Sequence, residues 1–106
     1  MNMQVVVRNA EDSAEVREFA EDAVARAIER FEDRIVSAII RLEDETGPVK
    51  GGVDKVCSID LKLTHGEIHI RERTDAFRDS INTAADRLKA ALSREIAKAK
   101  RGVGEG

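Results

Sequence analysis

One periodicity limits what this chain can fold into more than any other. From Asp75 to about Arg101, Phe77, Ile81, Ala84, Leu88, Leu92 and Ile96 recur at three- and four-residue intervals. At 3.6 residues per turn they fall on one broad apolar face, which predicts a long amphipathic helix. On the same wheel Arg87, Arg94, Lys98 and Arg101 share a narrow stripe roughly 130° round from the apolar centre. Such a helix needs a surface to pack on, and it leaves a line of cations facing out.

The remaining elements supply that surface. Met3, Val5 and Val7 alternate with Gln4, Val6 and Arg8, which predicts a short β-strand. After a polar stop at Asn9 to Asp12, either Asp12 or Ser13 can cap a helix. Val16, Ala20, Ala23, Val24, Ala27 and Phe31 keep helical spacing from Ala14 to Phe31. Ile35 to Glu43 reads as a second strand with Val36, Ala38, Ile40 and Leu42 on one face. Asp44 to Asp54 holds Gly47-Pro48 and Gly51-Gly52, the strongest breakers in the chain, and reads as a loop. A third strand, Lys55 to Thr64, turns at His65-Gly66 into a fourth, Glu67 to Arg73. That turn places Leu63 opposite Ile68 and Leu61 opposite Ile70, so the apolar faces agree.

The order is therefore β-α-β-β-β-α, an α+β fold. Two helices packed on one face of a four-stranded antiparallel sheet leave the other face wet. The wet face would carry Arg8, Arg41, Lys62, His69, Arg71 and Arg73, with Glu43, Asp60 and Glu67 among them. At 106 residues the chain makes one domain, over 1–101, with 102–106 a Gly-rich flexible tail. With no Trp or Tyr and only three Phe, the core is aliphatic. No apolar run reaches the roughly 18 residues of a membrane span, and the N-terminus has no secretory pattern. The single cysteine, Cys57, has no partner for an internal disulfide, which suits a reducing cytoplasm.

Net charge is only −3, but its distribution is uneven. Between Glu11 and Arg34 nine acids face four arginines, a balance of −5; between Asp86 and Arg101 six bases face two acids, a balance of +4. A chain of this kind can offer a cationic surface to phosphate while staying acidic overall.

Catalysis has little to stand on. His65 and His69 are split by a turn and do not converge with Cys57, which points inward, so no metal site is read here. Cys57 has no nearby base, and the acids of the first helix form a solvated face rather than an acid/base pair. The glycines at 47, 51 and 52 do not open a helix, so they make no phosphate loop. Nothing calls for a cofactor or a small-molecule substrate. The cationic stripe remains: aligned bases on one helix can meet successive phosphates without reading any base. Lack of Tyr and Trp disfavours stacking on single strands and favours the backbone of structured RNA.

Several segments resemble a known family. Arg17-Glu18-Phe19, Phe31 with Asp33-Arg34-Ile35, and Gly66-Glu67-Ile68-His69 are similar to segments of the ribosome hibernation-promoting factor and ribosome-associated inhibitor A family. So are Ile81 with Asp86-Arg87-Leu88 and the basic C-terminus. Gly51-Gly52-Val53-Asp54-Lys55-Val56-Cys57 resembles a segment of some short members, and the likeness runs from Met3 to Arg101. Members were once called sigma-54 modulation proteins. The resemblance implies a fold similar to the double-stranded RNA-binding domain. It also implies binding to the small ribosomal subunit, in the channel of mRNA and tRNA, idling ribosomes under stress. The family's basic positions fall on Arg87, Arg94, Lys98 and Lys100, with Arg26 on the first helix; Arg101 extends the line. Where an aromatic usually precedes the helix isoleucine this chain has Arg78. The alternative reading is a homodimeric protein–protein module, with an edge strand pairing with its twin, or a diverged paralogue acting off the ribosome.

Overall fold

The computed structural model describes residues 1–45 and 53–105, with side chains placed as far as residue 98. The first strand, β1, is Asn2–Arg8, and α1 follows over Ala14–Ile28. A 3-10 stretch, Glu29–Arg34, leads to β2, Ile35–Asp44. Then come β3 (Lys55–Leu63), β4 (Gly66–Thr74) and α2 (Phe77–Glu105). The strands form one sheet in the order β1-β2-β3-β4, and both helices cover the same face. The β-α-β-β-β-α order and the α+β class are those the sequence predicts.

One strand direction differs. β1 runs parallel to β2, while β2–β3 and β3–β4 are antiparallel, so the sheet is mixed rather than antiparallel throughout. The cause is α1. A helix that packs back on the sheet between two neighbouring strands returns the chain to its starting end, so the second strand repeats the direction of the first.

The start of α1 is held on two sides. The Ser13 side chain accepts a hydrogen bond from the Val16 amide at 3.1 Å, satisfying one of the free donors of the first turn. Arg17 donates to the Val5 carbonyl at 2.8 Å and pairs with Asp12, tying the helix to β1. The α-helical part ends at Ile28 rather than Phe31, because Phe31 leaves helical geometry (φ −124°) and the chain tightens into 3-10 turns.

Two register details also differ from the sequence reading. In β2 the pairing jumps between Ile35 and Ser37, so Val36 is an extra residue. The phase inverts there: Ile35 is buried and Val36 is 45 % exposed, although the alternation places Val36 with the core. In the β3–β4 hairpin the loop is Thr64-His65, not His65-Gly66. Gly66, at φ +126°, is already the first residue of β4 and pairs with Leu63. Leu61 therefore faces Ile68 and Ile59 faces Ile70, a shift of two residues. A shift by an even number keeps every side chain on its own face, so the core assignment survives while the cross-strand partners change.

The core is aliphatic. Ile28, Ile40, Leu42, Ile59, Leu61, Ile81, Leu88 and Leu92 are all fully buried between sheet and helices. Cys57 lies among them, and burial, followed by the Glu72 charge, pushes its thiol up to about 12. On α2, Ser80 Oγ donates back to the Phe77 carbonyl at 3.1 Å, so the hydroxyl enters the interior satisfied. At the stubs of the loop, the Glu45 amide donates to the Asp54 carbonyl, and Lys55 bridges the carboxylates of Asp44 (3.1 Å) and Asp54 (2.7 Å). The intervening Gly47-Pro48 and Gly51-Gly52 lie outside the described residues.

With 29 residues α2 is about 43 Å long at 1.5 Å per residue, against about 30 Å for a nine-residue strand. Leu92 is its last fully buried side chain and Ile96 its last partly buried one. The helix therefore outruns the sheet and carries its C-terminal turns away from the body. It is traced to Glu105, past Arg101, where the sequence reading ends the domain.

Candidate nucleic-acid interface

The apolar stripe of α2 fixes which way its cations point. With Leu88 and Leu92 turned into the core, Arg87, Arg94 and Lys98 all emerge on the flank over β4, and all three are exposed. Arg87 pairs with Glu72 of β4. Lys98 lies 3.7 Å from Glu95, one turn back on the same helix. Arg94 has no ion pair among the described residues. None of the three is neutralised by α1; the basic residue of α2 that reaches α1 is Arg78, 3.4 Å from Glu15 and stacked over Phe19 at 4.8 Å.

Arg26 stands elsewhere. It lines the groove between α1 and α2, across from Lys89, which sits roughly 140° round α2 from Arg94. The side chains of Lys100 and Arg101 lie outside the described residues. By helical phase Arg101 follows Arg94 at two turns, whereas Lys100 falls eleven residues, about three turns, after Lys89. Among the described side chains the candidates thus fall in two lines, Arg87, Arg94 and Lys98 on one and Arg26 on a second. Lys89 belongs to the second line and was not legible as a partner of Arg26, because only the packing of α1 on α2 brings them to one groove.

The open face of the sheet is different in kind. It carries Arg8, Arg41, Lys62, His69, Arg71 and Arg73 exposed, as the alternation predicts. Most of these charges are spent internally. Arg41 pairs with Asp60; Asp60 also bonds His69 at 2.8 Å, and His69 reaches Glu67 at 3.2 Å. Glu45 holds Arg71 and Arg73, each at 2.7 Å. Paired cations have weaker reach for phosphate, which leaves Arg8 and Lys62 on the sheet face, and Arg94, Arg26 and Lys89 on the helical layer, without an ion pair among the described residues.

The Asp60–His69 contact has a pH signature. The hydrogen bond that His69 donates to Asp60, then that to Glu67, raises its pKa above the ordinary 6.5. His69 in turn lowers that of Asp60, against the opposing effect of burial and with help from Arg41. His69 therefore adds stability below pH 6.5 that is lost as pH rises through its raised folded value. Asp60 adds stability above 3.8, its ordinary value, that is lost as pH falls through its lowered one. An NMR titration should place the His69 midpoint above 6.5, and Asp60→Asn should bring it down. A midpoint at or below 6.5 in the unaltered protein would show that the contact does not persist in solution.

Known proteins share this architecture. A ribosomal subunit interface protein from Coxiella burnetii superposes with a TM-score of 0.78 at 21 % identity, over 92 % of this chain and 99 % of that one. The N-terminal domain of Protein Y from Thermus thermophilus gives 0.71 at 24 % identity, over 89 % and 98 %. At these identities the likeness establishes the fold. No individually characterised, curated protein matches the sequence. No helix among the described residues is long and apolar enough to cross a membrane. The sequence model of the Sigma 54 modulation protein / S30EA ribosomal protein family, however, matches residues 3–100, and the chain belongs to that family.

Proposed function

We propose that this protein is a ribosome-associated translation inhibitor of the hibernation type. It acts in the cytoplasm, without catalysis, by docking on the rRNA of the small subunit. The observation that carries this reading is the line Arg87–Arg94–Lys98 on a helix that outruns its own sheet, exposed and clear of the acidic first helix. Family membership and the likeness to a ribosomal subunit interface protein give the line its partner. Arg26 contributes from α1, and Lys100 and Arg101 extend the contact along the last turns.

The physics is that of phosphate neutralisation. Each cation that meets a phosphate releases condensed counterions, so affinity falls with salt at a log–log slope of roughly −0.7 to −0.9 per contact. Six contacts predict a slope of roughly −4 to −5 for binding to purified small subunits. Co-sedimentation across a salt series reads that slope. Binding that is absent at low salt, or indifferent to salt, contradicts the proposal.

A further inference from the structure

The sheet has two outer strands, β1 and β4. A strand at the rim of a sheet leaves half of its backbone N–H and C=O groups unpaired, and natural proteins usually cover or blunt them. On β1 a side chain does part of this: Arg17, held by Asp12, sets its guanidinium on the Val5 carbonyl at 2.8 Å. β4 has no such cover. It pairs with β3 alone, over nine consecutive residues without a bulge, and no side chain among the described residues hydrogen-bonds to its backbone.

The hairpin decides which β4 groups are left over. The tight turn at Thr64-His65 closes on Leu63 and Gly66, which form a hydrogen-bonded pair, and bonded pairs recur at every second residue of an antiparallel ladder. Ile68, Ile70 and Glu72 accordingly spend their backbone groups on β3. Glu67, His69, Arg71 and Arg73 direct theirs to the outer edge, over a length of about 20 Å. Glu67, the acid of this row, is already bonded to His69 at 3.2 Å. On the helix side Arg87, bound to Glu72, places the cationic flank of α2 over β4, and Arg94 and Lys98 continue that flank. Arg94 has no ion pair among the described residues.

We propose that the β4 edge takes up an acidic, extended segment of a partner protein as a fifth strand. Its backbone bonds to Glu67, His69, Arg71 and Arg73, and its carboxylates meet the α2 flank at Arg94. Main-chain hydrogen bonds give such a strand affinity, and alternate side chains give it selectivity. Charge decides the occupant. Pairing β4 with the β4 of a second copy would set two cationic α2 flanks side by side, which like-charge repulsion opposes, whereas an acidic strand is drawn to the same flank. The inference goes beyond ribosome docking and does not require it.

The test titrates isotope-labelled protein with an eight-residue peptide of alternating Glu and Val, blocked at both ends, at neutral pH and low salt, followed by NMR. The peptide should give saturable shifts at the amides of His69 and Arg71. At ten times its Kd it should slow their hydrogen exchange about tenfold, since those N–H groups gain acceptors only in the complex. A peptide with Lys in place of Glu should not bind. Nor should the Glu-Val peptide N-methylated at every residue, which keeps its charge and loses its donors. Arg94→Glu should weaken binding at least about threefold. No saturable response to the Glu-Val peptide overturns the proposal, as does equal binding of the Lys peptide or of the N-methylated one. A uridine octamer that slows exchange at the same two amides would make the edge an RNA surface and overturn it as well. The assay contains no ribosome, so failure of the edge and failure of ribosome docking are read separately.

Discussion

Replacing Arg87, Arg94 and Lys98 together with glutamate should abolish co-sedimentation with small ribosomal subunits, a loss on the order of a hundredfold or more at about 0.1 M salt. Three attractive phosphate contacts become three repulsive ones, and α2 turns from net cationic to net anionic. The fold should tolerate the change, because all three side chains are exposed and outside the core. Of the three, Arg87 is the one paired to another element, at Glu72 of β4, while Lys98 pairs with Glu95 within the helix, so Arg87→Gln separates loss of the Glu72 pair from loss of docking. Reversing Arg41, Arg71 and Arg73 on the open sheet should weaken docking far less, since that face lies on the other side of the sheet from α2. Equal losses from the two triple variants would mean that overall charge, not the helical line, governs binding.

The second large effect is on stability. Leu88 is fully buried at the centre of the α2 face that packs on the sheet, in the same cluster as Ile40, Ile59 and Val24. Leu88→Ala removes three carbons from a close-packed site and should cost about 2 to 5 kcal/mol, through lost apolar transfer and the cavity left behind. Against a total of about 5 to 15 kcal/mol for a domain of this kind, that is a large fraction. Thermal unfolding should shift down by at least about 10 °C, and the urea midpoint should fall with little change in slope. Val36→Ala should leave both nearly unchanged, because the strand bulge turns Val36 outward at 45 % exposure. A mild Leu88→Ala phenotype would indicate that α2 is not docked as a rigid element.

Much of this fold can be read from periodicity, and the failures have specific causes. Alternation in β3 and β4 identifies which residues face the core, since the side-chain period of a strand fixes parity. It leaves the register free by steps of two, so the loop falls at Thr64-His65 and Leu61 meets Ile68 instead of Ile70. In β2 a single inserted residue reverses the phase, and nothing in Ile35-Val36-Ser37 marks it. The parallel β1–β2 pair follows from where α1 packs, a tertiary fact that strand propensity does not contain.

The interface is legible to the same depth. Helical phase alone puts Arg87, Arg94 and Lys98 on one flank, and the structure keeps them there. Arg26 was readable as a family position but not as a neighbour of Lys89, because that proximity depends on how two helices sit side by side. Nor does composition show which cations are available. The sheet face and the helical layer are both rich in basic residues, and pairing divides each of them: Arg41, Arg71 and Arg73 are bound to acids on the sheet, and Arg87 and Lys98 on the helix, while Arg94 has no ion pair among the described residues.

Directed hydroxyl-radical probing tests the central claim most directly. An iron chelate tethered through Arg94→Cys sits on the cationic flank of α2; the same chelate through Lys62→Cys sits on the open sheet. Cys57 is fully buried with a thiol pushed up to about 12, so it stays unlabelled. With small subunits added, the probe at position 94 should cut rRNA strongly at a confined set of nucleotides, and the probe at position 62 weakly or not at all. Strong cutting from position 62 with none from position 94 would put the sheet, not the helix, against the ribosome and contradict the account.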